Sequence, residues 1–455
     1  MLIVNPATGE TIRDVTEDTA ESVQRKFESL KCAQREWAAT SLAARIKILA
    51  RFSVLLDANC DTLAADLTAE MGKPLPQARN EIAGARARIA WITENAEKFL
   101  SDEIMSERTR MIEKIVYEPL GVVCNISAWN YPYLVGVNVF VPALIAGNTV
   151  MYKPSEYATI TGMSIARLLK EAGVPEDAFH IAIGGKATGE LLLDLPFDGY
   201  FFTGSYQTGK YIYERVAPRM VPCQCELGGK DPLYVCDDVA DIKSVASGTA
   251  DGAFYNNGQS CCAVERIYVH EKIYDAYVTA FLDEVRSWKV GSPLDAGVYI
   301  GPLARDAQRG VLEAQIKDAL EKGAVVACGG SRIEDRGYYF HPTVLLNVTH
   351  GMRVMREESF GPVIGIMKVQ DDDEALRLMQ DTEYGLTASV YSGDEGRAYR
   401  ILSAIDTGTG YWNCCDRVSA AVPWSGRRHS GIGVTLSHAG LRAFARPKAY
   451  HLKRL

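Results

Sequence analysis

Apolar residues recur at helical spacing through most of the first hundred residues. Between residues 19 and 100, positions such as Leu49, Phe52 and Leu56 lie three or four residues apart, which predicts amphipathic helices. Gly72-Lys73-Pro74 interrupts the pattern, because glycine and proline end helices. The region therefore predicts a layer of helices that buries its apolar face against a β-sheet. Residues 5–10, before this layer, predict a turn between two short strands.

Short apolar runs alternate with helical patterns from about residue 120 onward. Strands are predicted at 122–126, 149–152, 180–183 and 199–202, and helices at 142–146, 160–172 and from 207. Strands joined by crossover helices predict a parallel, doubly wound sheet. A second α/β pattern begins at Asp231, while residues 111–118 predict a small exposed β excursion and the alternating residues 448–454 an edge strand. The predicted fold class is α/β, with two α/β domains and a small β unit.

The composition narrows the functional classes. At 455 residues the chain is too long for one core, and its formal net charge of −8 argues against a nucleic-acid partner. The start lacks the features of a signal peptide and no apolar run is long enough to span a membrane, so we expect a soluble protein with no membrane partner. Eleven cysteines without framework spacing predict a reduced, cytoplasmic protein. No second CxxC and no histidines at ligand spacing accompany them, so no metal is predicted.

The segment 254–263 carries the first chemical signal. Two adjacent cysteines, Cys261 and Cys262, follow a polar loop containing Gly258 and precede a strand-like run. A buried structural cysteine usually lies inside an apolar periodic segment. At a junction between a loop and a strand, backbone N–H groups can instead point at a reacting atom. We therefore predict that Cys261 is a nucleophile.

Two turns at strand ends suit a dinucleotide. Gly204 and Ser205 follow the strand at 199–202 and open a helix, where small residues let a pyrophosphate approach N–H groups at the positive helix end. Lys153 and Glu156 follow the strand at 149–152 and can bracket a ribose. Alone, each turn is also typical of an ordinary β–α turn or helix cap.

Glu226 and Asn130 are the candidate partners of the thiol. Glu226 precedes two glycines, and a carboxylate whose pKa is raised in an apolar cleft can act as a general base. Asn130 follows the strand at 122–126, and its amide N–H can stabilise an oxyanion together with the N–H of Cys261. A surface glutamate and an aromatic-rich turn are the ordinary alternatives for these two segments.

Together these segments resemble the NAD(P)-dependent aldehyde dehydrogenase superfamily over nearly the whole chain. The matching motifs, in order, are Asn-Pro-Ala-Thr-Gly at 5–9, Trp-Asn-Tyr-Pro at 129–132, Lys-Pro-Ser-Glu at 153–156, Phe-Thr-Gly-Ser at 202–205, Glu-Leu-Gly-Gly-Lys at 226–230, Gly-Gln-Ser-Cys at 258–261, Glu-Ser-Phe-Gly-Pro-Val at 358–363 and Ser-Gly-Ile-Gly at 430–433. The resemblance implies a Rossmann-like NAD-binding domain (1–100 and 120–230), an α/β catalytic domain (231–435) and a β oligomerisation flap (101–119 and 436–455). It also implies a homodimer or homotetramer.

The resemblance implies a role for each matching residue. Cys261 takes the place of the nucleophile, Glu226 of the general base and Asn130 of the oxyanion-hole amide. The residues implied in cofactor binding are Trp129, Lys153, Glu156, Gly204, Ser205, Glu358 and Phe360. Those implied in the substrate tunnel are Tyr131, Val135, Asn138, Cys262, Cys415, Asp416 and Val418.

The implied reaction agrees with the chemistry of these residues. The Cys261 thiolate attacks an aldehyde, and Asn130 holds the oxyanion of the resulting thiohemiacetal. Hydride transfer to the nicotinamide leaves a thioester, and water activated by Glu226 releases the carboxylic acid.

Two positions bear on cofactor and substrate choice. Glu156 should hydrogen-bond a free ribose 2′-hydroxyl and repel a 2′-phosphate, which favours NAD over NADP. Members acting on carboxylate-bearing semialdehydes often carry arginine eight residues after the position of Asn130, where this chain has Asn138. We therefore expect a neutral or amino aldehyde as the substrate, with Arg417 as the remaining candidate cation for a carboxylate.

Three alternative functions stay open. A semialdehyde dehydrogenase would act on a carboxylate-bearing substrate, and an acylating enzyme would transfer the acyl group to coenzyme A. Acylating members generally lack the carboxylate at the position of Glu226, and the complete set of Cys261, Glu226 and Asn130 argues against a non-catalytic structural protein. Residues 423–426 read Pro-Trp-Ser-Gly where the family usually has Pro-Phe-Gly-Gly, so the resemblance does not identify the substrate.

Overall fold

The computed structural model describes residues 1–333 and 337–454. Its α-helices are α1 (Ala20–Ala39), α2 (Leu42–Ala58), α3 (Cys60–Met71), α4 (Leu75–Leu100), α5 (Pro132–Ile145), α6 (Thr159–Ala172), α7 (Lys186–Asp194), α8 (Tyr206–Val216), α9 (Ile242–Phe254), α10 (Tyr274–Ser287), α11 (Ala307–Glu321), α12 (Asp372–Gln380), α13 (Glu395–Ser403) and α14 (Ser437–Arg442). Its strands are β1 (Leu2–Val4), β2 (Thr11–Asp14), β3 (Glu103–Arg108), β4 (Met111–Pro119), β5 (Val122–Ile126), β6 (Thr149–Lys153), β7 (Phe179–Ile181), β8 (Gly199–Thr203), β9 (Cys223–Glu226), β10 (Asp231–Val235), β11 (Val264–His270), β12 (Lys289–Val290), β13 (Val298–Ile300), β14 (Val325–Cys328), β15 (Thr343–Leu346), β16 (Val363–Val369), β17 (Tyr384–Gly385), β18 (Thr387–Tyr391), β19 (Thr409–Trp412), β20 (Arg427–Arg428), β21 (Gly431–Ile432) and β22 (Ala445–Lys453). The predicted α/β class is confirmed.

Helices α1 to α4 form the predicted helical layer. Thr19 and Ser22 build a capping box at the start of α1, each side-chain oxygen accepting the other's backbone N–H. Helix α3 ends at Gly72 in the left-handed conformation (φ 84°), and Pro74 immediately precedes α4. The break at 72–74 therefore lies where the sequence predicts it.

The first large sheet has the strand order β21-β9-β8-β5-β6-β7. The five strands from β9 to β7 are parallel, and Val123 of β5 pairs with Val150 of β6 and Gly199 of β8. Apolar residues of α2, α4 and α5 pack on one face, and those of α1, α7 and α8 pack on the other. Burial on both faces explains why its central strands read as continuous apolar runs.

Helix α5 is longer than the sequence analysis predicts. The helical pattern indicates residues 142–146, but the helix begins at Pro132, which suits the first turn because its missing N–H needs no partner there. Nearly every residue of α5 is buried. A helix that is apolar on all sides has no polar face that repeats with helical period. The first residue of α5 therefore could not be predicted from the periodicity.

The second large sheet has the order β14-β15-β16-β11-β10-β18-β19. Its strands are parallel except for the antiparallel edge strand β14, and every residue of the central strand β11 is buried. A third, antiparallel sheet β22-β4-β3 contains the predicted excursion and the predicted C-terminal edge strand, paired from Ala445↔Pro119 to Lys453↔Met111. The domain boundaries stay a prediction, and β21, inside 231–435, pairs with the first sheet.

Within the described residues, no helix is long and apolar enough to cross a membrane. The same part of the chain contains no group of three or more His, Cys, Asp or Glu side chains that could hold a metal ion. All eleven cysteines are free thiols.

Candidate active site

Cys261 lies in the turn between α9 and β11, on the wall of a cavity of about 1390 Å³. Asn256 and Asn257, just before it, adopt positive φ angles of 54° and 58°, which asparagine tolerates better than most residues. The Asn256 side chain donates to Gln259 O at 3.1 Å, and the Asn257 side chain donates to Gly301 O at 2.8 Å. Buried amides therefore anchor this turn, while Cys261 stays partly exposed to the cavity.

Asn130 is joined directly to the turn of the nucleophile. Its Nδ2 donates to Gln259 O at 3.1 Å, and its side chain is buried. An amide NH₂ group has two hydrogens, so one N–H is left for a second acceptor. The predicted oxyanion donor is therefore anchored to Gln259, which lies two residues before Cys261 in the chain.

A buried ion pair behind Asn130 was missed by the sequence analysis. The Lys73 ammonium contacts the Glu81 carboxylate, donates to Asn130 O at 2.9 Å and lies 3.8 Å from the centre of the Tyr131 ring. Burial lowers the pKa of Lys73 and raises that of Glu81, while the attraction between them opposes both shifts. The sequence did contain a signal for this buried charge, because Glu81 lies one turn before the buried Ala85 on the apolar face of α4.

Glu226 ends β9 as a buried carboxylate with one unpartnered oxygen. Its Oε1 accepts long hydrogen bonds from Gln224 Nε2 (3.5 Å) and Thr435 Oγ1 (3.4 Å), while Oε2 has no partner among the described residues. Desolvation raises the pKa of Glu226 to about 8. Gly431 of β21 pairs with Glu226, and a Cβ there would lie 2.2 Å from Cys225 O, so a larger residue would push β21 away. Such a carboxylate suits proton transfer near neutral pH.

The segment after Glu226 brings β9 against the turn of the nucleophile. A Cβ at Gly229 would lie 2.7 Å from Cys261 O, so glycine allows the two backbones to approach. The Gly229 N–H donates to Glu358 Oε1 at 3.0 Å. The predicted base, nucleophile and nicotinamide-ribose ligand therefore belong to neighbouring segments.

The predicted adenosine side of the cofactor site lies at the carboxyl ends of β6 and β8. Lys153 ends β6 and is buried, which lowers the pKa of its ammonium, while the nearby Glu156 opposes that shift. Gly204 follows β8, and Ser205 caps α8 by accepting the Thr208 N–H at 3.4 Å. An ammonium and the N-terminus of a helix provide donors for ribose hydroxyls and a pyrophosphate.

The predicted nicotinamide side is formed by Glu358, Phe360 and Trp129. The Phe360 and Trp129 rings pack edge to face with centroids 5.5 Å apart. Burial, with Glu265 nearby, raises the pKa of Glu358 to about 8. A carboxylate that can accept from ribose hydroxyls completes a donor and acceptor set that fits a pyridine nucleotide.

The predicted tunnel residues all line the cavity that contains Cys261; they are Tyr131, Val135, Asn138, Cys262, Cys415, Asp416 and Val418. Asp416 Oδ1 accepts from Cys262 Sγ at 3.0 Å and from Ser260 Oγ at 3.1 Å, and burial raises the pKa of Asp416 to about 6. A hydrogen bond with Cys261 and burial raise the pKa of Cys262 well above its usual range. Cys262 therefore stays a protonated thiol, unlike a nucleophile.

Asn138 has a cationic partner that the sequence analysis missed. Arg88 of α4 donates from Nη1 to Asn138 Oδ1 at 2.8 Å and to Leu134 O at 3.2 Å. Arg417, the cation suggested by the sequence, lines the same cavity with an exposed side chain. The expectation of a neutral or amino aldehyde considered the residue at position 138 and the tunnel lining, whereas the structure places the cation Arg88, from another helix, beside Asn138; the substrate class stays a prediction.

Comparisons with known proteins agree with this geometry. Residues 1–450 match the model of the aldehyde dehydrogenase family. The NADP(+) succinate-semialdehyde dehydrogenase of Deinococcus radiodurans is 34% identical over 446 residues, which cover 98% of this chain and 93% of that protein. The chloroplastic betaine aldehyde dehydrogenase of Amaranthus hypochondriacus is also 34% identical, over 97% of this chain and 90% of that protein. A solved structure of betaine aldehyde dehydrogenase from Staphylococcus aureus in complex with NAD+ has a TM-score of 0.95 and 31% identity, covering 100% of this chain and 92% of that one.

Proposed function

The chain belongs to the aldehyde dehydrogenase family, an oxidoreductase family that acts on aldehydes with a pyridine nucleotide, and we propose that it oxidises an aldehyde to a carboxylic acid through Cys261. One observation carries the proposal. Asn130 is hydrogen-bonded to the turn of Cys261, and the segment that follows Glu226, with its unpartnered Oε2, packs on the same turn. These are the groups that covalent catalysis, oxyanion stabilisation and hydrolysis require.

Each residue has a distinct step. The Cys261 thiolate adds to the aldehyde carbon, and the negative charge that develops on oxygen is stabilised by the free Asn130 N–H and the Cys261 backbone N–H. A bound pyridine nucleotide supplies the two-electron acceptor that leaves the carbon at the oxidation level of a thioester. Glu226 then removes a proton from water, which attacks that carbon and releases the acid and the thiolate.

We favour NAD as the cofactor. Two of the similar proteins differ in the cofactor that is named with them: the Deinococcus radiodurans enzyme is named for NADP(+), and the Staphylococcus aureus structure contains NAD+. The Glu156 carboxylate, beside the buried Lys153 at the end of β6, supports recognition of an unphosphorylated ribose. We expect kcat/KM to be higher with NAD than with NADP. The Glu156→Gln variant should show a smaller difference in kcat/KM between the two cofactors. A wild-type preference for NADP would contradict this choice.

We also propose an assembly and a cellular location for the protein. The sheet β22-β4-β3 exposes Ile104 and Met105, which are 58% and 62% accessible in the single chain, and Leu452 at 43%. Apolar side chains on an exposed sheet support burial against further copies, as a homodimer or homotetramer. The eleven free thiols support a reducing, cytoplasmic environment. Sedimentation of the purified protein tests the assembly.

The direct test is nucleotide reduction on addition of short aldehydes. Wild type should form NADH and a stoichiometric amount of acid, and Cys261→Ala should form none. Cys414→Ala removes another thiol that lines the cavity and should retain activity, which makes it the matched control. Formation of an acyl-coenzyme A when coenzyme A is added would favour the acylating alternative, and NADH formation by Cys261→Ala would exclude the nucleophile assignment.

A further inference from the structure

A buried arginine faces the substrate cavity from a helix that carries none of the predicted catalytic residues. Arg88 lies on α4, and Glu81, Gly84 and Arg88, spaced three and four residues apart, form a stripe of that helix along the cavity wall. Only 8% of the Arg88 surface is accessible. The cavity is therefore the surface to which this guanidinium is open.

Arg88 is held in place but is not neutralised. Both of its hydrogen bonds, to Asn138 Oδ1 and Leu134 O, use Nη1. Within residues 1–333 and 337–454, no carboxylate forms an ion pair with Arg88, and no acceptor binds its Nε or Nη2. A guanidinium has five N–H donors, so three of them remain for a ligand.

Of the residues that the structure describes, Arg88 is a buried cation with neither a carboxylate partner nor a full set of hydrogen bonds, whereas the buried Arg45 and Arg266 also lack a carboxylate but each donate to four backbone carbonyls. Arginine is rarely buried without a carboxylate partner, because desolvation of the charge is unfavourable. Burial lowers the pKa of Arg88 to about 10, and the negative charge of a thiolate at Cys261 opposes this shift. The guanidinium stays charged near neutral pH and lies within electrostatic range of the nucleophile.

The other cations on or near the cavity wall differ from Arg88, because Arg417 has an exposed side chain and Lys73 lies behind Asn130 without lining the cavity. Asp416 already accepts two hydrogen bonds, from Ser260 and Cys262, at its Oδ1. Lys73 is paired with Glu81 and directed at Asn130 O. Among the described residues that line the cavity, Arg88 is thus the buried cation with unused donors.

We propose that Arg88 is a specificity-determining residue that binds a carboxylate group of the aldehyde substrate, with Asn138 as the residue that positions it. The substrate class is then an aldehyde that carries a carboxylate at its other end, which is the alternative that the sequence analysis left open. This proposal rests on the proposed function, since it concerns the aldehyde bound at Cys261. The fork of unused N–H donors suits a carboxylate, which can accept two parallel hydrogen bonds.

The test compares aldehydes that differ only in charge. A series of ω-carboxy aldehydes of increasing length is assayed beside the methyl ester and the ω-amino aldehyde of each length. Wild type should give its highest kcat/KM with a carboxy aldehyde. Arg88→Met should lower kcat/KM for that substrate about 10- to 100-fold, the range expected for hydrogen bonds between charged groups. The loss should be mainly in KM, while the methyl esters change less than about 3-fold.

Two variants control the interpretation. Arg86→Met removes an arginine two residues away on α4 that pairs with Asp57 outside the cavity, and it should leave the preference unchanged. Arg88→Lys keeps the charge but not the planar fork, so it should recover part of the preference. An equal loss for all aldehydes in Arg88→Met would assign Arg88 a structural role and overturn the proposal.

A measurement on the wild type alone keeps the proposal testable if Arg88→Met does not fold. Dicarboxylates and their neutral diamides are compared for protection of Cys261 against alkylation, and only the dicarboxylates should protect. A wild type that oxidises methyl esters or amino aldehydes best would refute the role of Arg88 but not the aldehyde dehydrogenase reaction. No oxidation of any aldehyde would instead refute the proposed function itself.

Discussion

Replacing Glu226 by glutamine tests how the acid is released. The change keeps the size of the side chain and removes its ability to take a proton. Oε2 has no partner in the described part of the chain, and the bonds of Oε1 are long, at 3.4 and 3.5 Å, so few contacts are lost with the charge. General base catalysis contributes about 10²- to 10⁴-fold, so hydrolysis should slow by that factor.

The raised pKa of Glu226 sets the pH range of the effect in wild type. With a pKa of about 8, the carboxylate is mostly protonated at pH 7 and mostly ionised at pH 9. Only the ionised form accepts a proton, so the ionised fraction, and with it the hydrolysis rate, should rise roughly tenfold between these values. In Glu226→Gln this rise should be absent.

The assay separates the first turnover from the following ones. Stopped-flow absorbance records NADH during the first turnover, and quenched samples record release of the acid between pH 6 and pH 10. Glu226→Gln should give a burst of NADH close to one per active site, followed by slow turnover. The burst should persist because it requires Cys261 and the nucleotide but not the base.

A second variant checks the electrostatic argument. Thr435→Val removes one donor to Glu226 Oε1, a bond that lowers the pKa of the carboxyl group. The pH profile for hydrolysis should therefore move to higher pH, while its plateau stays close to that of wild type. Unaltered steady-state turnover in Glu226→Gln, or a flat wild-type profile from pH 6 to pH 10, would refute this account.

The remaining predictions concern the support of the oxyanion. Asn130→Ala should lower kcat by about 10²- to 10³-fold with a smaller effect on KM, and an effect on KM alone would contradict the oxyanion role. Lys73→Met leaves the Glu81 carboxylate buried without its partner, so it should destabilise the fold by about 3–5 kcal/mol in urea unfolding. The double change Lys73→Met and Glu81→Leu should recover much of that loss, and a double variant as unstable as the single one would argue against a buried ion pair.

The sequence predicted the parts of the site that lie at strand ends. Lys153 ends a buried strand and Asn130 and Ser205 follow two others, and the carboxyl ends of parallel strands meet at one edge of a sheet. Their grouping therefore follows from recognising the strands and their parallel order. Cys261 was identifiable for a related reason, because its loop precedes the apolar strand β11.

Arg88 and Glu81 on α4 were not predicted as site residues, because charged residues in a helix usually indicate its solvent-exposed face. Arg88 and Glu81 are buried on the same face as Ala85 and Ile92, where charge and apolar periodicity conflict. Such conflicts occur at functional sites, which is a usable signal. Asn138, the partner of Arg88, lies 50 residues away on α5, and Lys73, the partner of Glu81, lies 8 residues earlier, across the break that precedes α4. Only the packing of α4 on α5 brings Arg88 to Asn138.

The central claim is that Cys261 carries the acyl group, and mass spectrometry of the trapped enzyme tests it most directly. Glu226→Gln is mixed with NAD and an aldehyde, quenched in acid within the burst, and digested. The account predicts the mass of the acyl group on Cys261 and none on Cys262, with no adduct when NAD is omitted. An acyl group on Cys262, or a burst of NADH without any acylated cysteine, would contradict it.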